Sequence, residues 1–176
     1  KTPNLPGEME AEISVLSGIE HLERVSYMEV TLGETTGFAI ARQFDDTAPL
    51  PFDLQEGKEV GLREKMFAGE VVMASVLSQR MNKHAGDTIE LETKARKKQI
   101  RIAAITNDYL VGGLGMYMQR EIAQKLLNLE GVDAYIIRAK PKALPVLKAE
   151  VEKICEKHGV LMQSDGLFRR VALEVG

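Results

Sequence analysis

Residues 71–109 read VVMASVLSQRMNKHAGDTIELETKARKKQIRIAAITNDY, and this stretch decides the fold. Val71, Val72 and Met73 form an apolar run that suits a short strand. Ser75 follows where a helix N-cap would sit, its hydroxyl free to take an orphan N–H. Val76, Leu77, Arg80 and Met81 continue at helical spacing. Ala85-Gly86-Asp87 then breaks the helix, Gly86 supplying a positive φ that a Cβ would penalise. Beyond it Ile89 and Leu91 alternate with Glu90 and Glu92, and Ile100, Ile102 and Ala104 alternate with Arg101 and Ala103. Period two marks half-buried antiparallel strands. The stretch predicts a small β-unit entered by a short helix.

Upstream, residues 1–7 hold two prolines and a glycine and read as a lead-in. From Glu8, the residues Met9, Ile13, Leu16, Ile19 and Leu22 recur at helical spacing, with acids in the first turn where the helix dipole favours them. Gly18 is placed to stop this helix early. Residues 25–32 read as a strand, a turn falls at Gly33-Glu34, and residues 37–44 read as the next strand. Residues 45–66 are the least regular and contain Pro49, Pro51, Gly57 and Gly61. They mark a boundary between subdomains, with a turn at residues 55–58.

Downstream, residues 111–115 (VGGLG) predict a flexible loop, Met116-Tyr117-Met118 a short strand, and residues 121–129 a helix. Residues 132–138 predict a strand. Pro141 and Pro145 suit a helix start, since a first-turn proline loses no intrahelical bond. Leu144, Leu147, Val151 and Ile154 line one face of that helix, and Gly159 suits its C′ position. Val160-Leu161-Met162 forms the returning strand, and residues 168–176 read as a further strand or a lead-out.

A strand, a short helix and a Gly-Asp turn into a hairpin, closing on an apolar strand and Asn107-Asp108-Tyr109, resembles the extracytoplasmic domain of MacB/FtsX-like ABC transporter permeases. The opening Leu16-Ser17-Gly18-Ile19, a helix ending in Gly-Ile before a strand, is similar to the start of those domains. The order of elements carries the resemblance from the opening helix to Arg170. It implies an α+β chain: a discontinuous α/β, porter-like subdomain of residues 1–44 and 132–176, with an inserted small β-rich, sabre-like subdomain at residues 45–131. The family's α/β subdomain usually opens with a strand before its first helix, and residues 1–5 read poorly as one.

The resemblance also implies a function. Such a domain lies on the periplasmic or extracellular face of the bacterial cytoplasmic membrane. It would relay ATP-driven motion to an outer partner or cargo, in export, efflux or lipoprotein release. Its implied partners are the membrane helices of the same permease, a separate ABC ATPase domain or subunit, a periplasmic adaptor or exported cargo, and a second permease copy. The family assigns no catalytic residues, so none are carried over. The other reading is a free-standing soluble ligand-binding or regulatory α+β module with the Gly112 loop at its pocket.

Composition narrows the classes further. The chain has 176 residues, 44% hydrophobic and 28% charged, ordinary for a globular protein able to bury a core. A net charge of −3 lacks the basic excess of a dedicated nucleic-acid binder. No run of ~18 apolar residues spans a membrane. Cys155 is the single cysteine, so an intrachain disulfide is impossible and redox compartment stays open.

The candidates for chemistry are sparse. Cys155 and His158 stand three apart at a helix end, but His21 and His84 offer no companion spacing for a metal. A core cysteine and a dipole-favoured histidine explain the pair. Gly112-Gly113-Leu114-Gly115 has the glycines of an anion nest but lacks a Walker lysine and Rossmann spacing, and reads as a mobile loop. Residues 94–101, KARKKQIR, form a basic run that could touch lipid headgroups or an acidic partner. Without interleaved aromatics it reads as a solvated hairpin tip. Asp45-Asp46 and Asn107-Asp108 follow no calcium-loop pattern. No catalytic, cofactor-binding or metal residue is assigned, and the chain reads as a non-enzyme without cofactor.

Overall fold

A computed structural model describes residues 4–45, 48–162 and 170–175. Its elements in chain order are α1 (Glu8–Ser14), β1 (Ile19–Leu32), β2 (Thr35–Arg42), β3 (Leu54–Glu56), α2 (Leu62–Phe67), β4 (Val71–Ala74), α3 (Ser75–Met81), β5 (Thr88–Glu92), β6 (Lys97–Thr106), β7 (Gly115–Gln119), α4 (Arg120–Leu127), β8 (Ala134–Ala139), α5 (Leu144–His158), β9 (Leu161–Met162) and β10 (Arg170–Val175). Short 3-10 turns at Leu110–Gly113 and Pro141–Ala143 precede β7 and α5. The chain divides into a discontinuous unit, residues 1–26 with 130–176, and an inserted unit, residues 27–129.

In the discontinuous unit the first half of β1 runs antiparallel to β8, from Ile19 opposite Ala139 to Val25 opposite Ala134. β10 pairs with β8 in parallel, and β9 pairs with β10 in parallel. The helices cover this sheet with Met9 and Ile13 from α1 and Leu147, Val151 and Cys155 from α5, packed with Tyr135, Ile137 and Val171. The α5 residues lie four apart, so one face carries them all. Gly159 ends α5 at φ 64 while Val160 N–H reaches back to Cys155 O, a glycine-terminated cap that satisfies two late carbonyls.

In the inserted unit β2 pairs with β7 in parallel, β7 with β4 antiparallel, and β4 with β6 in parallel. β6 pairs antiparallel with β5 through Lys97–Arg101 and with β3 at Ile105 and Thr106. The last residues of β1, Thr31 and Leu32, pair with β5. Leu32, Met73, Leu77, Ile89, Leu91, Ile100, Ile102, Met116 and Met118 build its core. The two strands pair antiparallel, as the period-two pattern predicts, and the register sets Ile89 opposite Ile100.

Several expectations change. The opening helix stops at Ser14, and Ile19 and Leu22 belong to β1. Gly18 lies between α1 and β1 at φ +88, outside helical backbone, and a Cβ there would lie 2.3 Å from Ala143 Cβ. The first boundary falls within β1, between Ser26 and Tyr27, and not at 44/45, because β2 pairs with β7 of the inserted unit. The second falls at Leu129/Glu130, close to the expected 131/132. Ser75 is the first helical residue of α3 and Ala74 occupies the cap position, with no side-chain cap bond. Residues 45–66, read as irregular, include β3 and the start of α2. Of the basic run, residues 97–101 lie within β6 and only 94–96 precede it.

Candidate functional site

Cys155 and His158 serve separate purposes on α5. Cys155 is buried in the core, and burial, with Glu152 nearby, pushes its thiol up to about 11. A thiol held protonated at neutral pH is a poor nucleophile and a poor metal ligand. His158 turns instead to α1: its Nε2 is 2.7 Å from Glu12 Oε1, and its Nδ1 is 3.8 Å from Glu8 Oε1. Lys157 Nζ lies 3.1 Å from Glu12 Oε2. The hydrogen bonds from His158 and then Lys157 hold the Glu12 carboxyl below its usual range. This cluster fastens α1 to the end of α5, supplementing the buried Met9 and Ile13.

A second group lies in the inserted unit. Phe52 packs edge-on between Phe44 and Tyr117, with ring centres 5.7 and 5.2 Å away, and the Arg42 guanidinium sits 5.3 Å from the Phe44 ring centre. Burial, reinforced by its hydrogen bond to Asp108, raises the Tyr117 hydroxyl above its ordinary value. The Tyr117 hydroxyl donates to the Asp108 carboxylate, which also accepts the Leu110 N–H at 3.1 Å. Asp108 therefore anchors the start of the glycine loop. Within that loop Val111 and Gly112 both adopt left-handed backbone, φ 52 and 67. A Cβ at Gly113 would meet Val76 at 2.6 Å, so the loop packs closely on α3. Gly113 is buried against that helix, and the Leu114 N–H donates to Val111 O at 3.3 Å.

His84 pairs with Glu56: Nδ1 lies 2.9 Å from Oε2, while Glu56 Oε1 accepts the Ala85 N–H at 3.1 Å. The bond to Glu56 raises the His84 pKa, and the bond to His84 lowers that of Glu56. The pair ties β3 to the turn between α3 and β5. His21 lies in β1 opposite Arg138. Asp45 accepts the Ala48 N–H at 2.7 Å, and Asp46 lies outside the described residues. Asn107 donates from its amide to Asp53 at 3.3 Å. Among the described residues no three His, Cys, Asp or Glu side chains converge to hold a metal.

Sequence reasoning did not find the Glu12–His158, Glu56–His84 or Phe44–Phe52–Tyr117 contacts. Partners 146, 28 and 65 positions apart carry no local signal. The one usable hint was Glu8 and Glu12 at i and i+4 on α1, which puts two carboxylates on one face.

No family model and no curated protein matches the sequence. Solved structures do. The periplasmic region of MacB from Actinobacillus actinomycetemcomitans matches with a TM-score of 0.56 at 13% identity, over 90% of this chain and 76% of that one. The extracellular domain of the noncanonic ABC-type transporter YknZ from Gram-positive bacteria matches with a TM-score of 0.57 at 8% identity, over 89% and 85%. The chain has the fold of an extracytoplasmic permease domain. The likeness covers about nine-tenths of this chain, and so residues of both units. Among the described residues no helix is long and apolar enough to cross a membrane.

Proposed function

We propose that the chain is the extracytoplasmic domain of an ABC transporter permease and relays ATP-driven motion to an outer partner or cargo. The likeness to the MacB and YknZ domains over about nine-tenths of the chain carries this reading. In it, the domain is tethered to membrane helices of the same permease and is driven by a separate ABC ATPase domain or subunit. A periplasmic adaptor or exported cargo is the outer partner, and a second permease copy stands beside it. The titratable groups support a mechanical role. His158, Asp108 and Glu56 are each engaged in fastening one element to another, and the single thiol is buried. We read the domain accordingly as a non-enzyme.

Packing suits a relay. The α1 and α5 residues bury a common core against β1 and β8, so the discontinuous unit would transmit displacement as a body, as hinge and shear transitions require. The test uses the parent permease with its ATPase in proteoliposomes. A polarity-sensitive dye is placed on Lys94→Cys in a Cys155→Ala background. Its emission should change on ATP addition and recover when hydrolysis ends. Emission indifferent to ATP, while the ATPase turns over, overturns the relay.

A further inference from the structure

The turn before β6 and the first half of that strand concentrate charge of one sign. Residues 94–101 hold Lys94, Arg96, Lys97, Lys98 and Arg101 and no acid. All five are exposed. Lys97 lies 3.6 Å from Glu90 and 3.9 Å from Glu92 across the hairpin. Among the described residues the other four form no ion pair. With Glu90 and Glu92 counted, residues 88–101 carry +3 in a chain of net −3.

The same strand has an open side. β6 pairs with β5 through Lys97–Arg101, whereas β4 joins its other side only from Ile102 onward. Among the described residues no strand pairs with that side over Lys97–Arg101. Ile102 N–H donates to Asp87 O, and Arg96 O accepts the Thr93 N–H. These residues turn their backbone groups toward β5, so by alternation Lys97 and Gln99 turn theirs to the open side.

Lysine on an exposed edge is a known guard against unwanted strand pairing, and that role accounts for Lys97 and Lys98. It does not account for Lys94 and Arg96, which precede the edge. We propose that this hairpin binds an acidic, extended segment of a partner protein, which adds as a strand beside Lys97–Arg101. Main-chain bonds to Lys97 and Gln99 would supply register. Glutamate or aspartate side chains would meet Lys98 on one face and Arg101 on the other, the usual division of labour in strand addition.

Other occupants fit less well. A second copy pairing through the same edge would set Lys97, Lys98 and Arg101 against their own counterparts, and like charges directly opposite destabilise a strand pair. A lipid surface would be held by charge alone, since the turn exposes no apolar side chain larger than Ala95. This inference stands on the hairpin itself and fails or holds independently of the transporter reading.

The test titrates the chain with a short peptide alternating glutamate and valine, and separately with phosphatidylglycerol vesicles, while amide exchange is followed by NMR. The peptide should slow exchange at Lys97 and Gln99 about tenfold or more, and the double variant Lys98→Glu/Arg101→Glu should weaken binding about tenfold. An unchanged spectrum outside the hairpin shows that the variant folds. Peptide binding that leaves those two amides unprotected, binding to vesicles alone, or no binding to either probe overturns the proposal.

Discussion

Gly18→Ala is the sharpest perturbation of the discontinuous unit. Gly18 stands between α1 and β1 at φ +88, and a Cβ there would lie 2.3 Å from Ala143 Cβ, far inside contact distance. The backbone conformation alone costs a residue with a Cβ about 1–3 kcal/mol. Overpacking against the turn that precedes α5 adds about 1–3 kcal/mol. The sum, about 2–6 kcal/mol, is a large part of the ~5–15 kcal/mol that holds a domain together. Ala143→Gly removes the opposing atom at a cost of about 0.5–1 kcal/mol. The double variant should therefore recover the overpacking part and keep the backbone part, a coupling of about 1–3 kcal/mol. The chain has no tryptophan, so native-state amide exchange at the buried Ile137 and Val151 is the assay. If Gly18→Ala leaves that exchange unchanged, or if Ala143→Gly adds to the loss, the reasoning about this contact is wrong.

Three further outcomes are expected. The His84 pKa is raised and the Glu56 pKa lowered by their bond. The His84 share of stability is therefore full below the ordinary histidine pKa and lost as pH rises through the raised one. The Glu56 share is present above the ordinary carboxylate value and lost as pH falls through the lowered one. Glu56→Gln should move the His84 NMR titration midpoint down toward about 6.5; an unmoved midpoint shows the pair is not formed. Cys155, with its pKa pushed up to about 11, should react with a thiol reagent at neutral pH far more slowly than an unfolded control, and fast labelling of the folded chain would contradict its burial. Val111 holds a left-handed backbone that β-branched residues seldom adopt. Val111→Gly should therefore be neutral or stabilise by up to about 1 kcal/mol in thermal unfolding; a loss of more than about 2 kcal/mol would mean its side-chain packing outweighs the strain.

The hairpin was legible because its information is local. Ile89 and Leu91 alternate with Glu90 and Glu92, Ile100 and Ile102 flank Arg101, and Gly86 marks the turn into the first strand, so period and punctuation agree. α5 was legible for the same reason, with Pro145 at its start, Gly159 at its end and one apolar face between. The opening helix was overextended because Ile19 and Leu22 of β1 continue a helical spacing by chance, and the approach of Ala143 that requires a glycine at position 18 has no trace in local sequence. The first unit boundary was misplaced for a related reason. It falls inside a single uninterrupted strand, β1, where no proline or glycine announces the change of partner from β8 to β5. Side-chain contacts such as Glu12 with His158 depend on the closing of the discontinuous unit and have no trace in local sequence. The open side of β6 depends likewise on where the short β4 begins to pair.

An extracytoplasmic permease domain must occupy the outer side of the cytoplasmic membrane. Lys94→Cys in the Cys155→Ala background, expressed within the parent permease, can be challenged in intact cells with a membrane-impermeant maleimide. Lys94 is exposed in the turn before β6 and precedes the Lys97–Arg101 edge proposed to pair with a partner, and comparing intact with permeabilised cells isolates the effect of the membrane. The extracytoplasmic reading predicts labelling of intact cells at the same level as permeabilised ones. Labelling that appears only after the cytoplasmic membrane is permeabilised would contradict it.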